Sequence, residues 1–240
     1  MVLAGYGNRV EGVHAVSAAI AAGRVLKLYV ERGRRGRLEE LLAGVDDDLI
    51  QLVDDVRSLA DTDAPQGVVA DCRPIVPVTL EQLAEGLPAL LVLDHVEDPH
   101  NVGAAARSAL AAGVSGMVVS ARRAAPLSAA TFKAAAGAME HLPVSIVNSI
   151  PEALSRLKEN DVWVVGLDAS GDQSLFGLPL LTEPVAVVVG SEGAGLAELT
   201  RKRCDVVARI PMATDTESLN ASVSAALASF EIMRVRSRRD

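Results

Sequence analysis

Short runs of Val, Leu and Ala, each broken off at a glycine or a small polar residue, recur along the later two-thirds of this chain. Runs of about five apolar residues are too short for helices and apolar on both sides, which predicts strands buried on both faces. They fall at 89–93, 116–120, 143–147, 162–167, 185–189 and 205–210. Between them the apolar positions take the three-and-four spacing of helices, at 101–112, 128–137, 151–158, 196–202 and 218–235. Strand and helix alternating in this way predict a parallel sheet covered by helices on both faces.

The earlier part alternates on a smaller scale. Residues 1–9 carry no pattern and read as loosely attached, and Glu11 to Ala22 reads as a helix with Val13, Val16, Ala19 and Ile20 on one face and Gly23 as its stop. Val25–Val30 and Leu49–Val53 read as strands with a short helix, Leu38–Ala43, between them. Asp54 is placed to cap a helix running through Ala60, and Gln66 to Ala70 leads into a further strand. This predicts a small α/β domain over 8–73, a proline-containing linker over 74–88 with a helical stretch at Leu80–Glu85, and a larger α/β domain over 89–240.

Composition narrows the classes. Half of the 240 residues are hydrophobic, ample for a core, yet no apolar run approaches the roughly 20 residues that span a bilayer. With no basic-then-apolar N-terminus, a cytoplasmic protein is expected. Cys72 and Cys204 lie far apart without metal-ligand spacing and read as buried thiols, and no His, Cys or carboxylate cluster suggests a metal. The net charge of −8 argues against indiscriminate nucleic-acid binding, but the positive charge is grouped. Arg32, Arg34, Arg35 and Arg37 form one cluster, whose glycines imply an exposed loop suited to RNA. Arg201, Lys202 and Arg203 form a second, and Arg234, Arg236, Arg238 and Arg239 a third. Aromatics are only 2% of the chain, so base-stacking platforms are not expected and recognition of RNA would rest on phosphate, ribose and shape.

Three strand ends carry the candidate chemistry. In LVLDHVEDPHNVGAAAR, Leu91 to Arg107, a strand stops at Asp94 and a helix restarts at Asn101, placing Asn101, Gly103 and Arg107 on its first two turns. Asn101 and Arg107 are six apart and so do not share a stripe. The run at Val185–Val189 is followed directly by Gly190-Ser191-Glu192-Gly193-Ala194-Gly195, and that at Val206–Ile210 by Pro211-Met212 and then Ser218-Leu219-Asn220-Ala221-Ser222. Loops at the carboxyl ends of parallel strands converge on one edge of the sheet, where such folds bind their ligands. The glycine loop fits a dinucleotide fingerprint poorly, stands too late in the chain, and has no Walker lysine after it.

N-x-G-x-x-x-R, G-x-E-G-x-G and I-P-M…S-L-N-x-S, in this order, resemble the three signature motifs of the SpoU (TrmH-like) family of SPOUT-class RNA 2′-O-ribose methyltransferases. Glu11 to Asp71 likewise resembles the substrate-binding domain of the large-subunit rRNA guanosine methylases. The resemblance implies a small RNA-binding domain before a parallel-sheet SPOUT domain, whose last helix threads the loop at Gly190 in a deep trefoil knot. It implies S-adenosyl-L-methionine as cofactor, held by Gly190, Ile210 and Leu219, with Leu167 to Ala169 as a neighbouring wall and Gly195 and Met212 alongside. It also implies a homodimer, with helices 218–235 and 101–112 as the natural faces, and RNA as partner.

By the same resemblance Arg107, Asn101, Glu192, Ser218 and Asn220 form the catalytic set. The family casts the arginine as a general base. A guanidinium with a pKa above about 12 is a reluctant base, so Arg107 reads better as a phosphate anchor that also stabilises the developing oxyanion. Asn101 would orient Arg107 or the target nucleotide. Glu192 stands at a helix entrance, where a carboxylate is favoured in any case. Ser218 and Asn220 head the last helix and are placed equally to cap it or to contact ribose and cofactor. His95 and His100 flank the first motif and rank below Arg107 as bases. Two departures stand out: Thr214 where the family has glycine, and Pro65 in place of a basic or polar residue before Gln66-Gly67. The expected activity is methyl transfer to a guanosine of large-subunit rRNA. A tRNA methyltransferase and a non-catalytic ribosome-assembly factor stand as alternatives, the second favoured by Thr214, and a nicotinamide dehydrogenase is remote.

Overall fold

The computed structural model describes residues 5–122, 124–213 and 218–237. The chain opens with β1 (Arg9–Glu11), α1 (Val13–Ala21), β2 (Val25–Glu31), α2 (Glu39–Leu42), β3 (Ile50–Val53) and β4 (Val68–Cys72). These four strands form one sheet in the order β1-β4-β2-β3, in which β2 and β3 are parallel and β4 is antiparallel to both of its neighbours. The expected helix from Glu11 starts two residues later, because Glu11 belongs to β1. Its side chain is fully buried and accepts hydrogen bonds from the Asp61 and Thr62 backbone N–H groups at 2.5 and 3.1 Å.

Of the residues expected to be loose, 1–4 lie outside the described residues, and 5–9 are held. Tyr6 is buried and its backbone pairs with Ile75, while Arg9 ion-pairs with Asp71 at 2.8 Å. A three-residue strand gives no periodicity to read; its partner lies some sixty positions away. The helix expected after Asp54 is a single 3-10 turn over Val56–Leu59, capped by Asp55. The arginine-rich segment is also a 3-10 turn, Arg32–Leu38, exposed except for Leu38.

After α3 (Leu80–Leu83), which a Thr79–Gln82 capping box starts, the larger unit follows. Its strands are β5 (Ala89–Leu93), β6 (Gly116–Ser120), β7 (Val144–Val147), β8 (Trp163–Leu167), β9 (Gln173–Ser174), β10 (Val185–Val189) and β11 (Val206–Arg209). Its helices are α4 (Pro99–Ala111), α5 (Ala129–Ala135), α6 (Ile150–Glu159), α7 (Glu198–Arg203) and α8 (Ala221–Arg236). The seven strands are all parallel, in the order β7-β6-β5-β10-β8-β11-β9.

The two central strands show why their sequences run apolar without alternation. Leu91 and Leu93 of β5, with Val185, Val187 and Val189 of β10, face a core shared with α4, α5 and α8, while Leu90, Val92, Ala186 and Val188 face a second core under α3 and α6. Each fully buried Val or Leu contributes about 1.5–3 kcal/mol. Gly103 explains the closeness of α4 and α5: a β-carbon there would stand 2.6 Å from the Ala134 Cβ and closer still to the Thr131 carbonyl.

The first of these cores continues into the small sheet without a break. Tyr6 packs on Phe132 of α5 with ring centroids 6.1 Å apart, and the Arg24 guanidinium lies 5.9 Å from the centre of the same ring. Arg24 also makes a two-pronged ion pair with Glu140, at 2.7 and 2.5 Å, both side chains being nearly buried.

Candidate active site

The site begins where β5 ends. Asp98, and not Asn101, caps α4: its carboxylate accepts the His100 N–H at 2.9 Å, and Pro99 occupies the first turn, where its missing N–H costs nothing. The helix therefore starts two residues before the expected position. Asn101, released from capping, turns its side chain outward. Its Nδ2 donates to Glu192 Oε1 at 2.8 Å, and its Oδ1 accepts from Asn220 Nδ2 at 3.0 Å. Asn220 Nδ2 also reaches Glu192 Oε1, at 2.5 Å. Three residues from three separate motifs thus close a triangle of hydrogen bonds at the carboxyl edge of the sheet.

Asn220 serves two purposes at once. Its Oδ1 caps α8, accepting the Ser222 and Val223 N–H groups at 2.8 and 3.3 Å, while its Nδ2 joins the triangle. An amide offers an acceptor on one side and two donors on the other, so a cap leaves the donors free. Ser218 makes no cap; it lines the neighbouring cavity.

That cavity, of about 250 Å³, lies against the glycine loop. Leu167, Gly190, Gly195, Ile210, Met212 and Leu219 all line it, together with Glu192 and Ser218. The loop is closed by reciprocal backbone bonds between Ser191 and Gly195, at 3.1 and 3.0 Å. A β-carbon on Gly190 would fall on the Gly195 carbonyl, and Gly193 and Gly195 hold φ of +79° and +66°. The result is a tight concave wall of peptide groups beside apolar side chains. It fits a cofactor that pairs an adenine and ribose with a methionine tail, whose polar edges need backbone donors and acceptors and whose body needs an apolar bed.

Two carboxylates assigned no role of their own from the sequence fix this frame. Asp94, fully buried, accepts the Ala197 N–H at 3.0 Å and so ties the end of β5 to the far side of the glycine loop. Asp168 lines the cofactor cavity and is bound by Arg201 at 3.0 Å and by Ser170. Burial favours its neutral form, but the hydrogen bonds from Ser170 and Arg201 outweigh it and hold the carboxyl below the usual range. The visible signal was a carboxylate at the end of each of two strands.

Arg107 stands apart from this constellation. It is exposed on α4, lines neither this cavity nor the neighbouring one, and has no hydrogen bond or ion pair among the described residues. Of the basic clusters, the first remains open. Arg35 and Arg37 have no partner among the described residues, while Arg32 and Arg34 reach Asp54 and Glu31 only at 3.4 Å. In the second, Arg201 pairs with Asp168 and Lys202 with Glu198. In the third, Arg234 pairs with Glu231, and Arg236 donates to the carbonyls of Leu181, Leu87, Pro88 and Glu183, pinning the end of α8 beneath the sheet. Arg238, Arg239 and Thr214 lie outside the described residues. Beside Pro65, the Gln66 side chain accepts the Val13 N–H at 2.9 Å, so this turn is occupied in starting α1.

Cys72 and Cys204 are free thiols, each pushed up to about 11 by burial. Among the described residues no group of His, Cys, Asp and Glu is arranged to hold a metal ion, and no helix is long and apolar enough to cross a membrane.

An all-parallel sheet with a closed glycine loop, an Asn–Glu–Asn triangle and a peptide-walled cavity at its carboxyl edge defines a cofactor-dependent group-transfer enzyme of the α/β class. Residues 88–230 match the model of the SpoU rRNA Methylase family, and residues 9–77 match that for RNA 2′-O ribose methyltransferase substrate binding. The chain is 39% identical to a 23S rRNA (guanosine-2′-O-)-methyltransferase, RlmB, of Pseudomonas aeruginosa, over 95% of this chain and 97% of that one. It is 36% identical to the RlmB of Ralstonia nicotianae, over 94% and 95%. Among solved structures, the SpoU methyltransferase AviRb from Streptomyces viridochromogenes, in complex with AdoMet, superposes with a TM-score of 0.80 at 27% identity, covering 95% of this chain and 90% of that one. The chain belongs to the SpoU rRNA methylase family. It is an S-adenosylmethionine-dependent RNA 2′-O-ribose methyltransferase.

Proposed function

We propose that this enzyme methylates the 2′-hydroxyl of a guanosine in large-subunit rRNA. The single observation that carries the reading is the Asn101–Glu192–Asn220 triangle, which brings the three motifs into one hydrogen-bonded unit. The near-complete overlap with two 23S rRNA guanosine methyltransferases supports the substrate.

S-adenosylmethionine supplies an electrophilic methyl group on a sulfonium. Gly190, Gly195, Ile210, Met212, Leu219 and Leu167 would hold it, with Ser218 lining the same cavity. The triangle sets the position of the incoming ribose, where small errors of placement cost most of the rate. Arg107, unpaired among the described residues, is placed to take a phosphate of the target and to stabilise the oxyanion as the 2′-proton leaves. Arg35 and Arg37, with Arg32 and Arg34, meet the RNA backbone farther out. The chain divides into an RNA-holding domain over 8–73, a linker over 74–88 and a catalytic domain over 89–240. The trefoil crossing carried over from the family lies at Gly190, where the backbone passes too close to Gly195 for any side chain. A second copy covers α8, whose Val223, Phe230 and Met233 are apolar and exposed along one face. A cytoplasmic location follows from an rRNA substrate.

The test is methyl transfer from labelled S-adenosylmethionine to unmodified rRNA and tRNA pools, with wild type and Arg107→Ala. Label in rRNA at a mapped guanosine 2′-oxygen, lost in the variant, is the expected result. Label confined to tRNA overturns the substrate, and label in rRNA that survives Arg107→Ala overturns the role of the arginine.

A further inference from the structure

A second cavity, of about 550 Å³, lies on the other side of the glycine loop and shares Ser191, Glu192, Ala194 and Gly195 with the cofactor cavity. Asn101 and Glu192, two corners of the triangle, line it, so it opens directly onto the place where the ribose is held. Its volume is that of a pocket for a small organic ligand. None of the side chains lining it is cationic; His95, Glu97 and Asp98 add acceptors to those of Glu192 and Asn101. Such a lining repels phosphate and suits a ligand that presents N–H groups.

His95 is the most directed of these groups. Its Nδ1 lies 2.7 Å from Oδ1 of the fully buried Asp94. A carboxylate only accepts, so the proton between them sits on Nδ1, and the tautomer this selects presents Nε2 as an acceptor. Since the other Asp94 oxygen is held by the Ala197 N–H, the carboxylate cannot swing away and the ring direction is fixed. RNA modified at a chosen nucleotide is read as an unstacked base, by hydrogen bonds to its edge. Guanine carries an exocyclic N2 amine on its edge, a donor that adenine, cytosine and uracil lack at that place.

We propose that this cavity takes the base of the target nucleotide, and that His95 Nε2 accepts a hydrogen bond from the guanine N2 amine. This rests on the reading that the substrate is a guanosine in rRNA. His95 is then a specificity-determining residue, held in place by Asp94.

The experiment compares rRNA fragments with guanosine, inosine or adenosine at the mapped target; inosine removes only the N2 amine. His95 has φ +59°, a conformation that glycine and asparagine both accept, so neither His95→Gly nor His95→Asn strains the backbone, and a thermal melt of each checks that the fold is kept. For wild type, inosine is expected to raise KM about tenfold, the loss of one hydrogen bond to the base. In His95→Gly the guanosine-to-inosine ratio should fall towards one, with S-adenosylmethionine affinity by calorimetry unchanged. A His95→Gly enzyme that keeps the wild-type ratio overturns this assignment alone. A wild type that labels no rRNA guanosine overturns the substrate reading and takes this assignment with it.

Discussion

At the scale of single residues, the site depends on amides and carboxylates that satisfy one another before any substrate arrives. Glu192 accepts from both Asn101 and Asn220, and neither amide has another acceptor of comparable charge. Glu192→Ala should therefore leave stability within about 1 kcal/mol, the net worth of exposed hydrogen bonds. Loss of positioning should lower kcat about a hundredfold; thermal melts beside single-turnover assays separate the two effects. The thiols give a simpler expectation. With both raised to about 11 by burial, a negligible fraction is thiolate at neutral pH. Alkylation of the native protein at pH 7 should be slow and accelerate sharply once it is unfolded.

Much of this scale was legible in the sequence. Asn101, Glu192 and Asn220 were all marked by motif, and each of the expected cofactor residues lines one cavity. What the sequence could not supply was partnership. Nothing local tells that Asp98 caps α4 and leaves Asn101 to the triangle, that Asp94 reaches Ala197, or that Arg236 binds backbone carbonyls. Those are choices made by groups far apart in the chain.

At the scale of elements, strands were read almost to the residue because five apolar positions buried on two faces leave little freedom in where a strand sits. The starts of α4 and α8 were displaced by two and three residues, since caps and proline at the first turn are chosen by the loop geometry before them. Short elements with remote partners, such as β1 and β9, left no trace in the pattern. The glycine of the first motif proves to be about packing: Gly103→Ala would force α4 and α5 apart and should cost about 1–3 kcal/mol, measured by denaturant unfolding. Along α8, a glutamate at Phe230 would place charge in the middle of the exposed apolar stripe. Phe230→Glu should shift sedimentation from dimer to monomer while leaving helix content unchanged.

At the scale of the whole molecule, the small sheet and the large one share apolar core across α5, and the Arg24–Glu140 pair closes the seam. Removing one partner of a buried pair strands the other: Glu140→Ala should cost about 3–5 kcal/mol, more than Arg24→Met together with Glu140→Leu. A double-mutant cycle on urea midpoints checks this. Wild type should melt in one transition seen alike by probes on both sheets.

The triangle has a consequence in time as well as in space. Its corners sit at positions 101, 192 and 220 of the chain, and the helix bearing the last packs Ala225, Ala228 and Ile232 into the core and is tied at its far end by Arg236. A growing polypeptide that has already built β5, β10 and the glycine loop still possesses two corners out of three. The site therefore closes only as α8 docks: the same event that buries Ala225, Ala228 and Ile232 in the core brings the third corner to the other two. Packing of the last helix and assembly of the catalytic edge are one event.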